Sequence, residues 1–138
     1  MAKRSARGYM SPVRQAIKRR ERNREPALRP SEADVLAAAL QFLAAYGIPA
    51  WRNNTGAFVN VRGRLVRFGK EGSSDITGID PRTGRRIEIE CKAPGKKLRE
   101  GQRQFLDMVN RNGGIGLCVH SSEELEAGLK EAGVQLLW

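Results

Sequence analysis

Charged and apolar residues alternate in the stretch RRIEIECK, residues 85 to 92. Alternate side chains of an extended strand lie on opposite faces, so Glu88, Glu90 and Lys92 share one face and apolar residues occupy the other. Such a strand could be half buried with an ordinary charged outer face, or the charged face could be a functional site. The stretch alone leaves both interpretations open.

Asp75 is predicted to reach the Glu90 end of this strand through a hairpin. Residues 81–84, Pro-Arg-Thr-Gly, are typical of a tight turn and predict a β-hairpin over residues 76–92. Pairing Ile79 with Arg86 across this turn brings Asp75 level with Glu90. Two carboxylates and the Lys92 ammonium then converge at one end of the hairpin.

This grouping predicts a specific chemistry. Two carboxylates suit Mg²⁺, which keeps several waters and is usually completed by substrate phosphate. A lysine beside the ion can position an attacking water or neutralise charge that grows on phosphorus, so the site could hydrolyse phosphodiester bonds. Charge-rich hairpins also produce this spacing by chance, and the spacing alone does not establish catalysis.

Helices on both sides of the hairpin must position these residues. Ser31 and Asp34 form an N-terminal capping signature, and Gly47 ends the helix that follows. A later helix has Leu98, Gln102, Phe105 and Val109 on one face and ends near residues 113–114. The other predicted elements are a strand over 48–52, an extended segment over 57–61, a loop or ragged hairpin over 62–75, a buried strand over 115–119, a helix over 122–132 and an edge strand over 134–138. This order predicts an α/β fold, a small mixed sheet flanked by helices.

The net charge of +10 is concentrated at the N-terminus of the 138-residue chain. Residues 1–30 carry ten basic and two acidic side chains, whereas residues 31–138 carry fifteen and thirteen. We therefore expect a flexible basic arm over 1–30, attached to one domain over 31–138. The arm could neutralise DNA phosphates, with residues 13–24 becoming helical on binding, or it could be only a solvated tail.

Composition also limits the compartment. No apolar stretch approaches the length of a membrane helix, and no apolar segment follows the basic N-terminus. Cys91 and Cys118 lie in apolar runs without a partner at metal-ligand spacing, which indicates reduced core residues instead of zinc ligands. These features predict a cytoplasmic protein.

The segments GSSDITGI and IEIECKAPGKKLREGQRQFL resemble the VRR-NUC (virus-type replication-repair nuclease) family of the PD-(D/E)XK nuclease superfamily. The resemblance covers about residues 31–125 in order and spacing, and the opening helix and strand are similar too. Ser74 stands where a proline often precedes the first acid. The family name also fits a virus- or phage-encoded protein acting in the host cytoplasm.

The resemblance implies a restriction-endonuclease-like fold and assigns roles to individual residues. Asp75, Glu90 and the main-chain carbonyl of Cys91 would bind Mg²⁺ or Mn²⁺, and Lys92 would be the catalytic lysine. Glu32 matches an acidic residue of the first helix that many members direct at the metal. Gln102 matches the glutamine that opens the helix after the strand.

Basic residues flank this site on both sides. We interpret them as contacts to DNA phosphates, which position a backbone without reading bases; they are Arg62, Arg64, Arg67, Lys70, Lys96, Lys97, Arg99 and Arg103. Glu88 is expected to be solvated or paired across strands, not a ligand. His120 is expected to be a satisfied loop or surface residue.

The function predicted from these residues and the resemblance is a metal-dependent DNA endonuclease. Its structure-selective action, similar to that of Holliday-junction resolvases that cut branched DNA as homodimers, is implied by the resemblance alone. The alternatives are a flap or nicking nuclease acting as a monomer, and a non-catalytic nucleic-acid-binding module. Leu136, Leu137 and Trp138 could form a dimer surface or only close the core.

Overall fold

A computed structural model describes residues 11–13, 15–16 and 29–136. None of the helices in these ranges has both the length and the apolar character needed to cross a bilayer. From residue 29 onward the elements are α1 (Glu32–Ala45), β1 (Ala50–Arg52), β2 (Gly56–Val59), β3 (Leu65–Phe68), β4 (Ile76–Ile79), β5 (Arg86–Cys91), α2 (Glu100–Arg111), β6 (Ile115–Val119) and α3 (Ser122–Glu131).

Four of the strands form one mixed sheet in the order β1-β4-β5-β6. β4 is antiparallel to both β1 and β5, whereas β5 and β6 are parallel and joined through α2. The β4–β5 hairpin has the predicted register, with Ile79 opposite Arg86 and Ile76 opposite Ile89. β2 and β3 form a separate two-stranded hairpin. The predicted α/β class, with a small mixed sheet flanked by helices, is confirmed.

The start of α1 is fixed by the predicted capping box. The Ser31 backbone N–H donates to Asp34 Oδ2 at 2.8 Å, and the Asp34 N–H donates to Ser31 Oγ at 3.1 Å. Two backbone donors that have no partner within the helix are thereby satisfied. This cap places Glu32 in the first turn of α1.

Helices cover both faces of the sheet, so β5 is buried on both sides. Ile87, Ile89 and Cys91 lie in the main core, together with residues of α1 and α3. Phe105, Leu106 and Val109 of α2 form a second apolar cluster, to which Cys118 of β6 contributes. Apart from Arg86, every residue of β5 is buried. Of the two interpretations of this strand, the half-buried strand with an ordinary charged outer face does not hold, because α2 covers that face.

Gly116 of β6 allows α2 to approach the sheet closely. A Cβ atom at this position would lie 2.7 Å from the Leu106 carbonyl oxygen of α2. Asn110 bonds both backbone groups of Gly116, accepting from its N–H at 2.8 Å and donating to its carbonyl at 3.2 Å. These contacts set the position of the helix that carries Gln102.

The C-terminal ends of α2 and α3 are both held by Arg85, the residue immediately before β5. Its guanidinium donates to the carbonyl oxygens of Gly113 and Ala132 at 2.8 Å and of Gly114 at 3.1 Å. A cation at helix C-termini satisfies free carbonyls and complements the helix dipole.

The C-terminal segment departs from the sequence prediction. Residues 134–136 form no strand, so the edge strand predicted there is wrong for the described positions. Val134 is buried and Leu136 packs against the main core, which favours closure of the core over a dimer surface for Leu136. Leu137 and Trp138 lie outside the described residues, as does most of the basic arm.

Candidate metal-binding active site

Asp75 and Glu90 meet at one end of the β4–β5 hairpin. Asp75 directly precedes Ile76, the residue that pairs with Ile89, so the register sets Asp75 beside Glu90. The Cys91 backbone N–H donates to Asp75 Oδ2 at 2.8 Å. The N–H and C=O of one strand residue point to the same side, which directs the Cys91 carbonyl toward Asp75 as well.

The loop before Asp75 is held from two directions. On one side, the Asn53 N–H donates to the Asp75 carbonyl at 2.7 Å, and Asn53 Nδ2 donates to Ser73 Oγ at 3.1 Å. On the other side, Gly72 has a φ of +78° and lies against α2, where a Cβ would come within 3.0 Å of the Gly101 carbonyl oxygen. Gly72 supplies both the left-handed conformation and the close approach.

One oxygen of Glu90 is tied to neighbouring side chains and the other is free. Gln102 Nε2 donates to Glu90 Oε1 at 2.7 Å, and Lys92 Nζ lies 3.5 Å from the same oxygen. The amide oxygen of Gln102 accepts from the Arg99 N–H at 2.9 Å, which fixes the orientation of the amide. Glu90 Oε2 is buried and has no hydrogen-bond partner among the described residues.

Glu32 brings a third carboxylate to this position from the first turn of α1. Oxygen atoms of Glu32, Asp75 and Glu90 all lie within 4.8 Å of one another. Burial, followed by the negative charge of Asp75, raises the pKa of Glu90 to about 7, while Lys92 acts in the opposite direction. The cluster is therefore short of positive charge.

Glu88 lies on the same face of β5 but in a different environment. It is completely buried and receives hydrogen bonds from Ser74 Oγ, from Thr77 Oγ1 at 3.2 Å and from Arg86 Nε. The expectation of a solvated Glu88 is wrong. The alternative of a cross-strand partner is confirmed, because Thr77 lies directly opposite Glu88 in the register.

The cysteines and the histidine lie outside the acidic cluster. Burial raises the pKa of the Cys91 thiol to about 12 and also raises that of Cys118, so both are neutral free thiols. Cys118 is only half buried, so it lies at the edge of the second apolar cluster and is less buried than the predicted core residue. His120 is a satisfied loop residue as expected: Nε2 lies 2.8 Å from the Lys96 carbonyl oxygen and Nδ1 2.9 Å from Glu124 Oε2.

A cleft of about 570 Å³ opens beside Asp75 and Glu90, between the β2–β3 hairpin and the start of α2. Of the eight flanking basic residues, Arg67 and Arg99 line this cleft. The other six are exposed but do not line it: Arg62, Arg64, Lys70, Lys96, Lys97 and Arg103. A second groove of about 390 Å³ shares Asp75 with this cleft and is also lined by Glu32, Leu36 and Arg52.

Several residues that support the site were not predicted from the sequence. Asn53 and Ser73 hold the backbone around Asp75, and Ser74 binds Glu88. Their only sequence signal was membership of polar, glycine-containing segments that predict turns. Such segments do not indicate which distant side chain a polar residue will contact.

The site geometry agrees with the comparison to protein families. No curated protein matches the chain. The family model described as the VRR-NUC domain matches residues 12–123, which is most of the chain and includes every residue of the acidic cluster. This domain implies a nuclease-type function with DNA as the substrate, in a family that typically uses divalent metals. The chain belongs to the VRR-NUC family.

Proposed function

We propose that this protein is an endonuclease that hydrolyses DNA phosphodiester bonds. Glu32, Asp75 and Glu90 would hold Mg²⁺ or Mn²⁺, and Lys92 would be the catalytic lysine. The observation that carries the proposal is the free, buried Oε2 of Glu90 inside a group of three carboxylates. A buried carboxylate oxygen without a partner is costly, unless a ligand completes it.

The donor set fits a hard divalent cation. Carboxylate oxygens of Asp75 and Glu90 would hold the ion, with the Cys91 carbonyl and with Glu32 directly or through water. When bound, the cation supplies a Lewis acid that activates water and offsets negative charge on phosphate oxygens. Three negative groups beside one ammonium give the site the net charge that such an ion balances.

Lys92 and Gln102 have distinct roles in this proposal. Lys92 is buried, and its ammonium beside Glu90 can orient an attacking water or neutralise charge that develops on the phosphate. Gln102 does not need to touch the substrate. Its amide holds Glu90 Oε1 and is itself held by Arg99, so the free oxygen Oε2 keeps a fixed direction.

Basic residues around the cleft would bind the DNA backbone. Arg67 and Arg99 line the cleft, and the six other flanking cations and the basic residues of the segment 1–30 would supply further phosphate contacts. Contacts of this type recognise the course of a backbone and not its bases, which favours a structure-selective nuclease. A homodimer acting on four-way junctions is the substrate and assembly suggested by the family resemblance.

A cleavage assay tests the proposal directly. The full-length protein is incubated with linear, flap and four-way-junction DNA, in Mg²⁺, in Mn²⁺ and in EDTA. We expect metal-dependent cleavage that Asp75→Ala or Lys92→Ala abolishes while DNA binding persists. Asp107→Ala and Lys130→Ala, exposed residues on α2 and α3 away from the cluster, are the matched controls.

The outcomes separate the alternatives. Binding of branched DNA without cleavage in either metal would refute the enzyme and leave a non-catalytic binding module. Flap cleavage by a monomeric protein would replace the junction assignment. For the arm, deletion of residues 1–29 should weaken binding and flatten its dependence on salt concentration, since fewer counterions are released; an unchanged slope would contradict a phosphate-binding arm.

A further inference from the structure

The β2–β3 hairpin exposes apolar side chains on both faces. Of its eight strand residues only Val66 is half buried and the others are exposed. Phe58 is 54% exposed, Phe68 46% and Leu65 58%, and Val61 in the connecting turn is fully exposed. A two-stranded hairpin with no packed face is marginal in water, and exposed apolar surface of this kind indicates a binding surface.

Both aromatic residues of the hairpin lie on one of its faces. Residues directly opposite in the register share a face, and the pairs are Gly56–Phe68, Ala57–Arg67, Phe58–Val66 and Val59–Leu65. Phe58 and Phe68 therefore lie on one face, with ring centroids 6.4 Å apart. The Phe68 ring lies over Gly56, where a Cβ would come within 2.7 Å of the ring. One side of this ring is thus supported by backbone, while nearly half of the residue remains exposed.

The hairpin is strongly basic and its tip is ordered. From residue 50 to residue 70 the chain carries five cations and no acidic residue; the cations are Arg52, Arg62, Arg64, Arg67 and Lys70. In the turn, Asn60 Oδ1 accepts from the Arg62 N–H at 2.9 Å and from the Arg64 N–H at 3.0 Å. The arginines at the tip are therefore presented on a fixed backbone.

The hairpin also stands beside the candidate active site. Arg67 and Phe68 line the same cleft as Asp75 and Glu90. A DNA strand whose phosphate lay at the acidic cluster would have its neighbouring nucleotides next to these two side chains. Aromatic rings with interleaved arginines are the combination that binds unpaired nucleotides, through base stacking and phosphate contacts.

We propose that the β2–β3 hairpin binds unpaired bases beside the cleavage position, with Phe58 and Phe68 as the stacking surface and the arginines on the phosphates. The proposal rests on the proposed function in one respect, because it takes DNA as the ligand of the adjacent cleft. A second copy of the chain is a poorer occupant, since two such hairpins in contact would bring together like charges with no acidic partner.

Binding measurements in EDTA test the hairpin without relying on cleavage. The probes are a forked DNA with unpaired arms, a duplex of the same length, and the same fork with abasic sites in its arms. We expect Phe58→Ala and Phe68→Ala each to lose about fivefold or more in affinity for the fork. Affinity for the duplex and for the abasic fork should hardly change.

Two further variants identify the interaction. The double change Phe58→Leu with Phe68→Leu keeps apolar area but removes the rings, and should lose fork affinity as the alanine variants do. Changing both residues to Tyr keeps the rings and should retain it. All these positions are exposed, and the thermal unfolding temperature verifies that each variant is folded.

Several results would overturn the proposal. If the variants lost equal affinity for fork and duplex, the hairpin would not contact unpaired bases. If fork affinity were unchanged, the hairpin would take no part in DNA binding. If the wild type formed a dimer that the alanine variants lost and the double leucine variant kept, this surface would be a self-association site. A failure of the nuclease proposal is distinguishable, because a protein that never cuts DNA could still show ring-dependent, base-dependent binding.

Discussion

Glu88 and Glu90 are two residues apart on one face of the same strand, and both are buried, yet their surroundings are opposite in kind. Glu88 is surrounded by donors from Ser74, Thr77 and Arg86. Within the described part of the chain, Glu90 has partners on one oxygen only, and two other carboxylates lie beside it. The first is a completed structural contact, whereas the second has Lys92 beside one oxygen and leaves its buried Oε2 without a hydrogen-bond partner among the described residues.

The difference comes from where each residue lies along the strand. Glu88 lies within the β4–β5 pairing, where the hydroxyl group of Thr77 in β4 and that of Ser74 just before β4 reach its carboxylate. Glu90 lies one position beyond the first pair of the β4–β5 register, opposite Asp75, the last residue of the loop before β4, so the facing residue is an acid. A buried carboxylate with donors stabilises the fold, whereas one among like charges costs stability until a cation binds.

The largest expected difference between the two glutamates is in catalysis. Glu90→Gln should lower the rate of Mg²⁺-dependent cleavage by about 10²–10³-fold, because the amide removes charge where the metal would bind. Glu88→Gln, equally buried and nearly the same in shape, should cleave close to the wild-type rate. The measurement is single-turnover cleavage of the best DNA substrate; similar losses in both variants would end the functional distinction.

Stability should change in the opposite order. Glu88→Ala should lower the free energy of unfolding by about 2 kcal/mol, since the buried Ser74 hydroxyl and the half-buried Thr77 hydroxyl lose this acceptor. Glu90→Ala should cost less or even stabilise the protein, because it removes one of three neighbouring carboxylates. Urea denaturation in EDTA measures both, and a greater loss for Glu90→Ala would contradict the assignment of Glu88 as the structural residue.

The contact from Gln102 to Glu90 should contribute less than Glu90 itself. Gln102→Ala should weaken metal-dependent activity by about 10–100-fold, since it frees the carboxylate that the amide orients. A positioning role predicts that higher Mg²⁺ concentration recovers part of the loss. Gln104→Ala, an exposed glutamine two positions along α2, is the control. A loss that is independent of Mg²⁺ concentration would instead indicate contact with the substrate.

The smallest effect is a pH dependence of stability in EDTA. The pKa of Glu90 is raised from 4.5 to about 7 in the folded protein. Below pH 4.5 the Glu90 carboxyl is protonated in both the folded and the unfolded protein. Between pH 4.5 and about 7 it keeps its proton only in the folded protein. Protonation of Glu90 therefore stabilises the folded protein at low pH. This stabilisation is lost as pH rises from 4.5 to about 7, and above that pH Glu90 causes no further change in stability.

Thermal unfolding of wild type and Glu90→Gln across this pH range tests the effect. The unfolding temperature of the wild type should fall relative to that of the variant by a few degrees as pH rises from about 4.5 to about 7. Mg²⁺ at pH 8 should reverse the difference, because it stabilises the ionised carboxylate. Parallel pH profiles in EDTA would show that Glu90 does not carry the pH dependence.

Local signals in the sequence predicted much of the fold. The turn at 81–84 and the alternation in β5 gave the register that sets Asp75 beside Glu90, and Ser31 with Asp34 gave the start of α1. The strand expected over 134–138 failed at 134–136, because short apolar runs also occur in segments that close a core without pairing. The burial of Glu88 was missed since alternation reports which residues share a face, not what covers that face.

The sequence by itself determined the helices, the β4–β5 hairpin register and the positions of the acidic residues and Lys92, because turns, caps and periodicity act over a few neighbouring residues. The tertiary structure decided how those residues differ. It brought α2 against β6 at Gly116, placed the Gln102 amide on one oxygen of Glu90, and added Glu32 from a distant helix. These distances depend on packing between elements far apart in the chain, which local patterns do not encode.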